Sequence, residues 1–405
     1  MAQRVALAYS GGLDTSVAVR WLQEEYGVEV VAVAVDVGQG GESFDDILAR
    51  ARAAGAVEAV VVDARAEMAE QFCFPAIAAN AKYEGKYPLV SSLSRPVIVR
   101  HLVEQARAFG CDAVAHGCTG KGNDQVRFEV GTRALAPDFE ILAPARVWGL
   151  TREDCVALAA KWEIPIQQTK EKIYSIDENL WGRAIECGRI EDPWHTTRLE
   201  PFTLTQITER DQIEVTVAFE EGRPVSINGV TMRPVDLIAE MNRIAGSTGF
   251  GRLDMVENRR VGIKSREVYE CPGALALIAA HSDLEDLTLE RDVAHEKLRL
   301  EPRWAELVYD GMWFSPLKNA LDAFIAETQR FVTGEVRMTF EAPGLMRIDG
   351  RRSDVALYDY NLATYDAADT FRHQDAEGFV RLWGLGISTW ASRHGSAPGL
   401  SLIHI

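Results

Sequence analysis

The stretch VALAYSGGLDTSVAVRWLQEEYGVEVVAVAV, residues 5–35, carries the reading on which the fold turns. Val5 to Tyr9 is a short apolar run that the glycine pair Gly11-Gly12 breaks. Asp14 to Tyr26 then places Val17, Trp21 and Leu22 on one side of a helix, and Gly27 ends it. Val28 to Val35 is β-branched and almost continuously apolar, the pattern of a strand covered on both faces. The unit recurs along the chain. A helix near Ser43 to Ala54, stopped by Gly55, leads to a strand at Val57 to Val62. A helix following Pro96 leads to a strand at Cys111 to Ala115, a glycine-rich loop and a helix from Asp124. Thr151 caps a last helix, to Trp162, with Asp154 in the capping-box position. Strands alternating with helices predict a Rossmann-like parallel α/β sheet over residues 1–167, with ligands at the carboxyl ends of its strands.

Beyond Pro165 the texture changes. Gln212–Phe219 with Pro224–Ile227, and Val332–Phe340 with Leu345–Ile348, read as antiparallel hairpins. Helical patterns lie at Val235–Ile244, Ala274–His281 and Leu317–Phe331. These predict an α+β second domain over 168–370, followed over 371–405 by an exposed helix bearing Phe379, Leu382 and Trp383 and a tail without a readable signal. Two polar runs, Tyr174–Asn179 and Glu257–Tyr269, read as salt-bridged loops on residue type alone.

Composition narrows the function classes. The chain has 405 residues, with 43 Lys and Arg against 60 Asp and Glu, a formal net charge of −17. That balance argues against nucleic acid as a partner, since phosphate-backbone affinity rests on clustered cations. Residues 82–133 run the other way, with eight basic and five acidic side chains, among them Arg95, Lys121 and Arg127. No run is long and apolar enough to span a bilayer, so no membrane is expected. The opening MAQRVALAYSGG holds a strand-like run where a signal peptide would need a long apolar region. Six scattered cysteines without a C-x-x-C pair fit reduced thiols and a cytoplasmic location.

Two segments carry chemistry on their own. Ala8-Tyr9-Ser10-Gly11-Gly12-Leu13-Asp14-Thr15-Ser16 sits between strand and helix. Adjacent glycines let successive N–H groups turn toward an anion at a positive helix end, and Ser10, Thr15 and Ser16 add hydroxyls. This is a phosphate cradle without the Walker pattern. His116-Gly117-Cys118-Thr119-Gly120-Lys121-Gly122-Asn123-Asp124-Gln125-Val126-Arg127 follows another strand and reaches the same sheet edge. Thr119, Asn123 and Asp124 suit the amine and carboxylate of an amino acid. The eight histidines form no metal-binding spacing, and no nucleophile elbow is present. Gly38-Gln39-Gly40-Gly41 lacks the dinucleotide spacing and carries no weight.

Together these segments resemble a known family. AYSGGLDTS is similar to the loop of the N-type ATP pyrophosphatases, whose fold is of the adenine nucleotide alpha hydrolase type. With KYPLVSSLSRP, HGCTGKGNDQVRFE, YSIDENLWGR and VENRRVGIKSREVYE in order, residues 4 to about 370 resemble the argininosuccinate synthase family. The resemblance implies an ATP-dependent ligase of arginine biosynthesis that joins citrulline to aspartate through a citrulline-adenylate, releasing AMP and diphosphate. It implies ATP at Ala8, Tyr9, Ser10, Gly11, Gly12, Leu13, Asp14, Thr15, Ser16, Val35 and Gly117. Aspartate would meet Thr119, Asn123 and Asp124, and citrulline Tyr87, Ser92, Asn123, Arg127, Ser175, Glu257 and Tyr269. Asp14, Asp124 and Arg127 are the candidates for catalytic roles, and Mg²⁺ would ride on the phosphates rather than on the protein. Ala184 stands where the family usually places a serine toward citrulline. A homotetramer is implied as well. Other adenylating enzymes fit less well, since a glutaminase region or an RNA-binding surface has no counterpart. A nucleotide sensor would need no amino-acid pockets.

Overall fold

A computed structural model describes residues 2–165, 174–197 and 202–395. The chain divides into two compact units, Met1–Val355 and Ala356–Ile405.

The first unit opens with five parallel strands: β1 (Arg4–Ala8), β2 (Glu29–Asp36), β3 (Glu58–Asp63), β4 (Ala113–Ala115) and β5 (Glu140–Leu142). Their order is β3-β2-β1-β4-β5. The chain therefore moves from the central β1 to one side and then returns to place β4 on the other. A crevice opens at such a switch point, beyond the carboxyl ends of β1 and β4. The continuous apolar run in β2 is explained by its two faces. Val30, Ala32 and Ala34 pack with the helix Leu13–Tyr26 and its neighbours, whereas Val31, Val33 and Val35 join a second core that continues into the antiparallel half. The cap expected at Thr151 forms, and Ser43 supplies a second. Ser43 Oγ accepts from Asp46 N, and Thr151 with Asp154 makes both bonds of a capping box.

The remainder of the first unit holds two antiparallel sheets. One contains β6 (Ser175–Asn179), β7 (Gly182–Glu186), β11 (Arg252–Asn258) and β12 (Lys264–Glu270), ordered β11-β12-β7-β6. The other contains β8 (Ile213–Glu220), β9 (Arg223–Ile227), β10 (Val230–Thr231), β13 (Gly334–Glu341) and β14 (Leu345–Arg352), ordered β10-β9-β8-β13-β14. Both expected hairpins are present here, with β8 and β13 joining them.

Three expectations need correction. The helix placed after Pro96 begins at Val90 and runs to Ala108 with Pro96 inside it. Proline lacks the N–H that would bond the Ser92 carbonyl, so that carbonyl has no helical partner. The two polar runs read as loops are strands β6, β11 and β12. Their alternate residues face opposite ways, so Met255 and Glu257 are buried while Val256 is exposed. The helix Arg291–Tyr309 was not foreseen.

The second unit carries the helices His373–Trp383 and Leu385–His394. Phe379, Leu382, Trp383, Ile387 and Trp390 are all exposed on them. The tail beyond Gly395 lies outside the described residues. Among the described residues no helix is long and apolar enough to cross a membrane.

Candidate active site

The phosphate cradle is built by β1 and the helix Leu13–Tyr26. Gly11 takes φ +76°, a conformation that side chains resist, and a Cβ there would lie 2.9 Å from Ile47 Cγ1. Its carbonyl accepts from the guanidinium of buried Arg50, which also donates to Pro165 O at 2.9 Å and pairs with Glu42. Gly12 is the N-cap, and no side chain caps this helix, which leaves first-turn N–H groups for a ligand. Tyr9 and Ser16 share a buried hydroxyl bond of 2.8 Å, and Ser10 Oγ lies 3.1 Å from Thr15 Oγ1. Ala8 ends β1 and Leu13 begins the helix. Asp14 is exposed and lies near Cys155, whose thiol burial pushes up to about 11. Val35 is buried near the end of β2, and its carbonyl accepts from Gln39 Nε2 at 2.9 Å.

The loop after β4 lies against this cradle: a Cβ on Gly117 would stand 3.0 Å from Thr15 Cγ2. Gln125 Nε2 donates to Gly120 O at 2.6 Å, and Arg259 Nη1 donates to Lys121 O at 3.3 Å. Asn123 closes the loop and joins the two halves of the unit. Its Nδ2 donates to Tyr309 Oη at 2.8 Å, and its Oδ1 accepts from Arg260 N at 2.9 Å.

A second cluster faces it from the β11-β12-β7-β6 sheet. The register pairs Tyr269 with Ala184, Ala184 with Asp177, and Glu257 with Ser265. Period-two geometry thus puts Ser175, Asp177, Ala184, Glu186, Glu257, Glu267 and Tyr269 on one face. Tyr269 Oη donates to Glu267 Oε2 at 2.7 Å and lies 2.9 Å from Glu257 Oε2, while Tyr309 Oη donates to Glu257 Oε1 at 2.8 Å. Tyr87 stacks on Tyr269 with ring centroids 4.3 Å apart and accepts from Ser91 N at 2.9 Å. The turn between β6 and β7 holds this segment, for Asn179 Nδ2 donates to Val90 O and Trp181 Nε1 to Pro88 O. The Ser92 hydroxyl is buried with no hydrogen-bond partner among the described residues, so it is open to a ligand.

Charge is arranged around Asp124. One carboxylate oxygen accepts from Arg95 Nε and Nη2, at 2.9 and 2.7 Å, and the other from Arg127 Nη1 at 2.8 Å. Arg95 also reaches Asp177 at 2.8 Å. Burial pushes the Asp124 pKa upward, but the two guanidiniums outweigh it and hold the group at about 2. Glu257 shows the opposite balance: burial first, and the charge of Glu267 second, push it up to about 8. Burial and Glu267 likewise take Glu186 to about 7 against the pull of Arg259.

Glu257 therefore binds a proton in the folded chain at pH values where an unfolded glutamate has lost it. Its contribution destabilises the fold progressively as pH rises from about 4.3, the ordinary glutamate value, toward 8. An ammonium group delivered to this cluster would favour the ionised carboxylate. Affinity for an ammonium-bearing ligand at this cluster is accordingly expected to rise between pH 6 and pH 8 with release of a proton. Calorimetry in buffers of different ionisation enthalpy measures that release, and a proton count of zero at pH 7 would remove Glu257 from the amine's surroundings.

Family models now bear on this geometry. The model described as arginosuccinate synthase N-terminal HUP domain matches residues 4–165, and that for the arginosuccinate synthase C-terminal domain matches residues 174–390. The chain belongs to the argininosuccinate synthase family. With that family it falls among the ATP-dependent ligases, and its parallel sheet is of the HUP type. Two solved structures share less with this synthase-family chain. A U34-tRNA thiolase, NcsA from Methanococcus maripaludis with its [4Fe-4S] cluster, is 17% identical over 42% of this chain and 59% of its own, with a TM-score of 0.25. A predicted tRNA methyltransferase subunit from Methanocaldococcus jannaschii is 11% identical over 43% and 79%, with a TM-score of 0.28.

Of the residues singled out in the sequence, Asn123, Asp124, Arg127, Tyr87, Glu257, Tyr269 and Ala184 converge. Thr119 and Ser175 are exposed, and no side-chain hydrogen bond joins either to this network among the described residues. Sequence reasoning missed Arg50, Asp177, Arg259, Glu267 and Tyr309 as site residues. Strand parity would have found Asp177 and Glu267 once their polar runs were recognised as strands. Tyr309 ends a helix that carries no motif.

Proposed function

We propose that this chain joins citrulline to aspartate with ATP, using the cradle for the nucleotide and the β11-β12-β7-β6 face for the amino acids. The observation that carries the reading is Asn123, bonded at both ends of its amide to the second half while standing in the nucleotide loop. In the first step the ureido oxygen of citrulline attacks the α-phosphorus of ATP and diphosphate leaves. In the second the aspartate amine attacks the activated carbon, loses a proton and expels AMP bearing the ureido oxygen. The N–H groups at Gly12 and the first helical turn would take up charge developing on diphosphate. Gly117 and the backbone near Val35 would border the nucleotide. Tyr87, Ser92, Arg127, Ser175, Glu257 and Tyr269 would hold citrulline, and Thr119, Asn123 and Asp124 aspartate.

Among the described residues no group of three His, Cys, Asp or Glu side chains is placed to hold a metal ion. Mg²⁺ bound to the phosphates would neutralise their charge without a protein-built site. Residues 1–167 would serve the nucleotide, 168–370 the amino acids, and 371–405 assembly. The apolar side chains exposed on the two C-terminal helices support a homotetramer built by covering them. Six free cysteines fit a cytoplasmic setting.

The test is diphosphate release with ATP and citrulline, with and without aspartate. AMP must form when both amino acids are present; ATP binding without AMP would mark a sensor. Ala184 gives a finer check. Its methyl lies between Asp177 and Tyr269, so Ala184→Ser would point a hydroxyl from the same face. One added hydrogen bond of about 0.5–1.5 kcal/mol lowers the citrulline KM roughly two- to tenfold. An unchanged or higher KM would show that citrulline does not reach this position.

A further inference from the structure

A cleft of about 580 Å³ opens between the helix Phe74–Ala78, the turn joining β8 to β9, and the helix Pro316–Thr328. None of its lining residues belongs to the site described above. The volume is that of a small-molecule site. Phe74, Trp313 and Phe314 supply flat apolar walls. Asp322 binds Lys318 at 2.7 Å, Arg330 binds Glu327 at 2.8 Å, and Arg100 pairs with Glu67, while Glu221 at the rim makes no ion pair among the described residues. Arg223 is different. It lies 5.2 Å from the Phe74 ring and has no carboxylate partner among the described residues. A guanidinium without an ion pair beside aromatic walls suits the charged group of a flat organic anion.

The cleft is connected to the reacting groups by five residues of chain. Trp313 and Phe314 line it, and Tyr309 stands at the other end of the segment, bonded to Asn123 and Glu257. Arg127 Nε donates to Tyr309 O at 3.0 Å. At Gly311 a Cβ would come within 2.9 Å of Arg127 Cα, so the segment and the Arg127 backbone are in close contact. Phe314 also packs beside Gly131, on the helix that Asp124 begins. A body seated against Trp313 and Phe314 therefore bears on Arg127 and Tyr309 together.

We propose that this cleft is an effector site for a small, flat organic anion, coupled to amino-acid binding through Tyr309–Phe314. Binding at the cleft is independent of the ligase reading; the coupling rests on it. The probe is 8-anilino-1-naphthalenesulfonate, an aromatic monoanion whose fluorescence reports occupancy of the full chain. Exposed Arg223 is changed in Arg223→Glu, and Arg20→Glu, on a first-domain helix, controls for net charge. The expected result is a saturable component that Arg223→Glu weakens at least tenfold and Arg20→Glu leaves unchanged. Indistinguishable titrations of the parent and Arg223→Glu would overturn the proposal, including the case in which another copy of the chain covers the cleft. Saturating probe should also shift calorimetric citrulline affinity at least threefold in the parent and not in Arg223→Glu. Arg223-dependent probe binding with no such shift would refute the effector role. Failure to bind citrulline under any condition would count against the ligase reading, while the probe titration still decides the site.

Discussion

Asp124→Ala should raise the aspartate KM by roughly 10- to 150-fold while ATP affinity stays within about threefold. The size follows from losing one charge-assisted hydrogen bond, about 1.5–3 kcal/mol. A carboxylate has about four lone-pair positions. Arg95 takes two and Arg127 one, which leaves one for the incoming ammonium. Because the group is held at about 2, it is ionised at every working pH and serves as an acceptor rather than a base. The same variant strips Arg95 and Arg127 of their shared counterion, with side chains only 13% and 5% exposed. Stability should therefore fall by about 3 kcal/mol, read from the denaturant midpoint. Asp124→Asn keeps an acceptor oxygen and should recover part of the stability but little of the aspartate affinity. An unchanged aspartate KM in either variant would take Asp124 out of the site.

Gly11→Ala should cost 10²- to 10³-fold in kcat/KM for ATP and leave citrulline affinity unaltered. Two causes add. The φ of +76° becomes strained by about 1–2 kcal/mol once a Cβ is present. That Cβ also meets Ile47 Cγ1 at 2.9 Å and Arg50 Nη1 at 3.2 Å, displacing the carbonyl that Arg50 holds. Donors aimed at developing charge lose about 10²–10³ in rate when misplaced. Gly12→Ala is the informative companion. Its φ is −73° and its Cβ would meet only Ser10 Oγ at 3.4 Å, so any large loss there comes from space the nucleotide needs. Diphosphate release measures both. Activity of Gly11→Ala within threefold of the parent would show that phosphates are not held by this loop.

The parallel sheet was legible because its signals are local. Val28–Val35 is apolar without interruption, Gly27 takes φ +67° at the helix end, and Thr151 and Asp154 cap as spaced. The amino-acid face was legible only in part. Alternation in Ser265-Arg266-Glu267-Val268-Tyr269 is hidden when polar residues face a site instead of solvent, because the usual hydrophobic contrast is missing. Pro96 reads as a helix start, yet packing of the helix's many buried residues outweighs its local cost. Arg95 was visible as a basic residue, but its pairing with Asp177 spans 82 positions and no spacing rule reports it. The Tyr309 contacts with Asn123 and Glu257 are tertiary in the same sense.

The alternating faces of β2 bear on how this protein came together and comes apart. Val31, Val33 and Val35 share one continuous core with residues such as Val215, Leu277 and Phe340 from the antiparallel half. Excising residues 4–165 at the seam between the two family matches would bare one whole side of the nucleotide sheet to water. The seam is thus not a boundary of packing: the two halves share one core and are expected to unfold in a single transition.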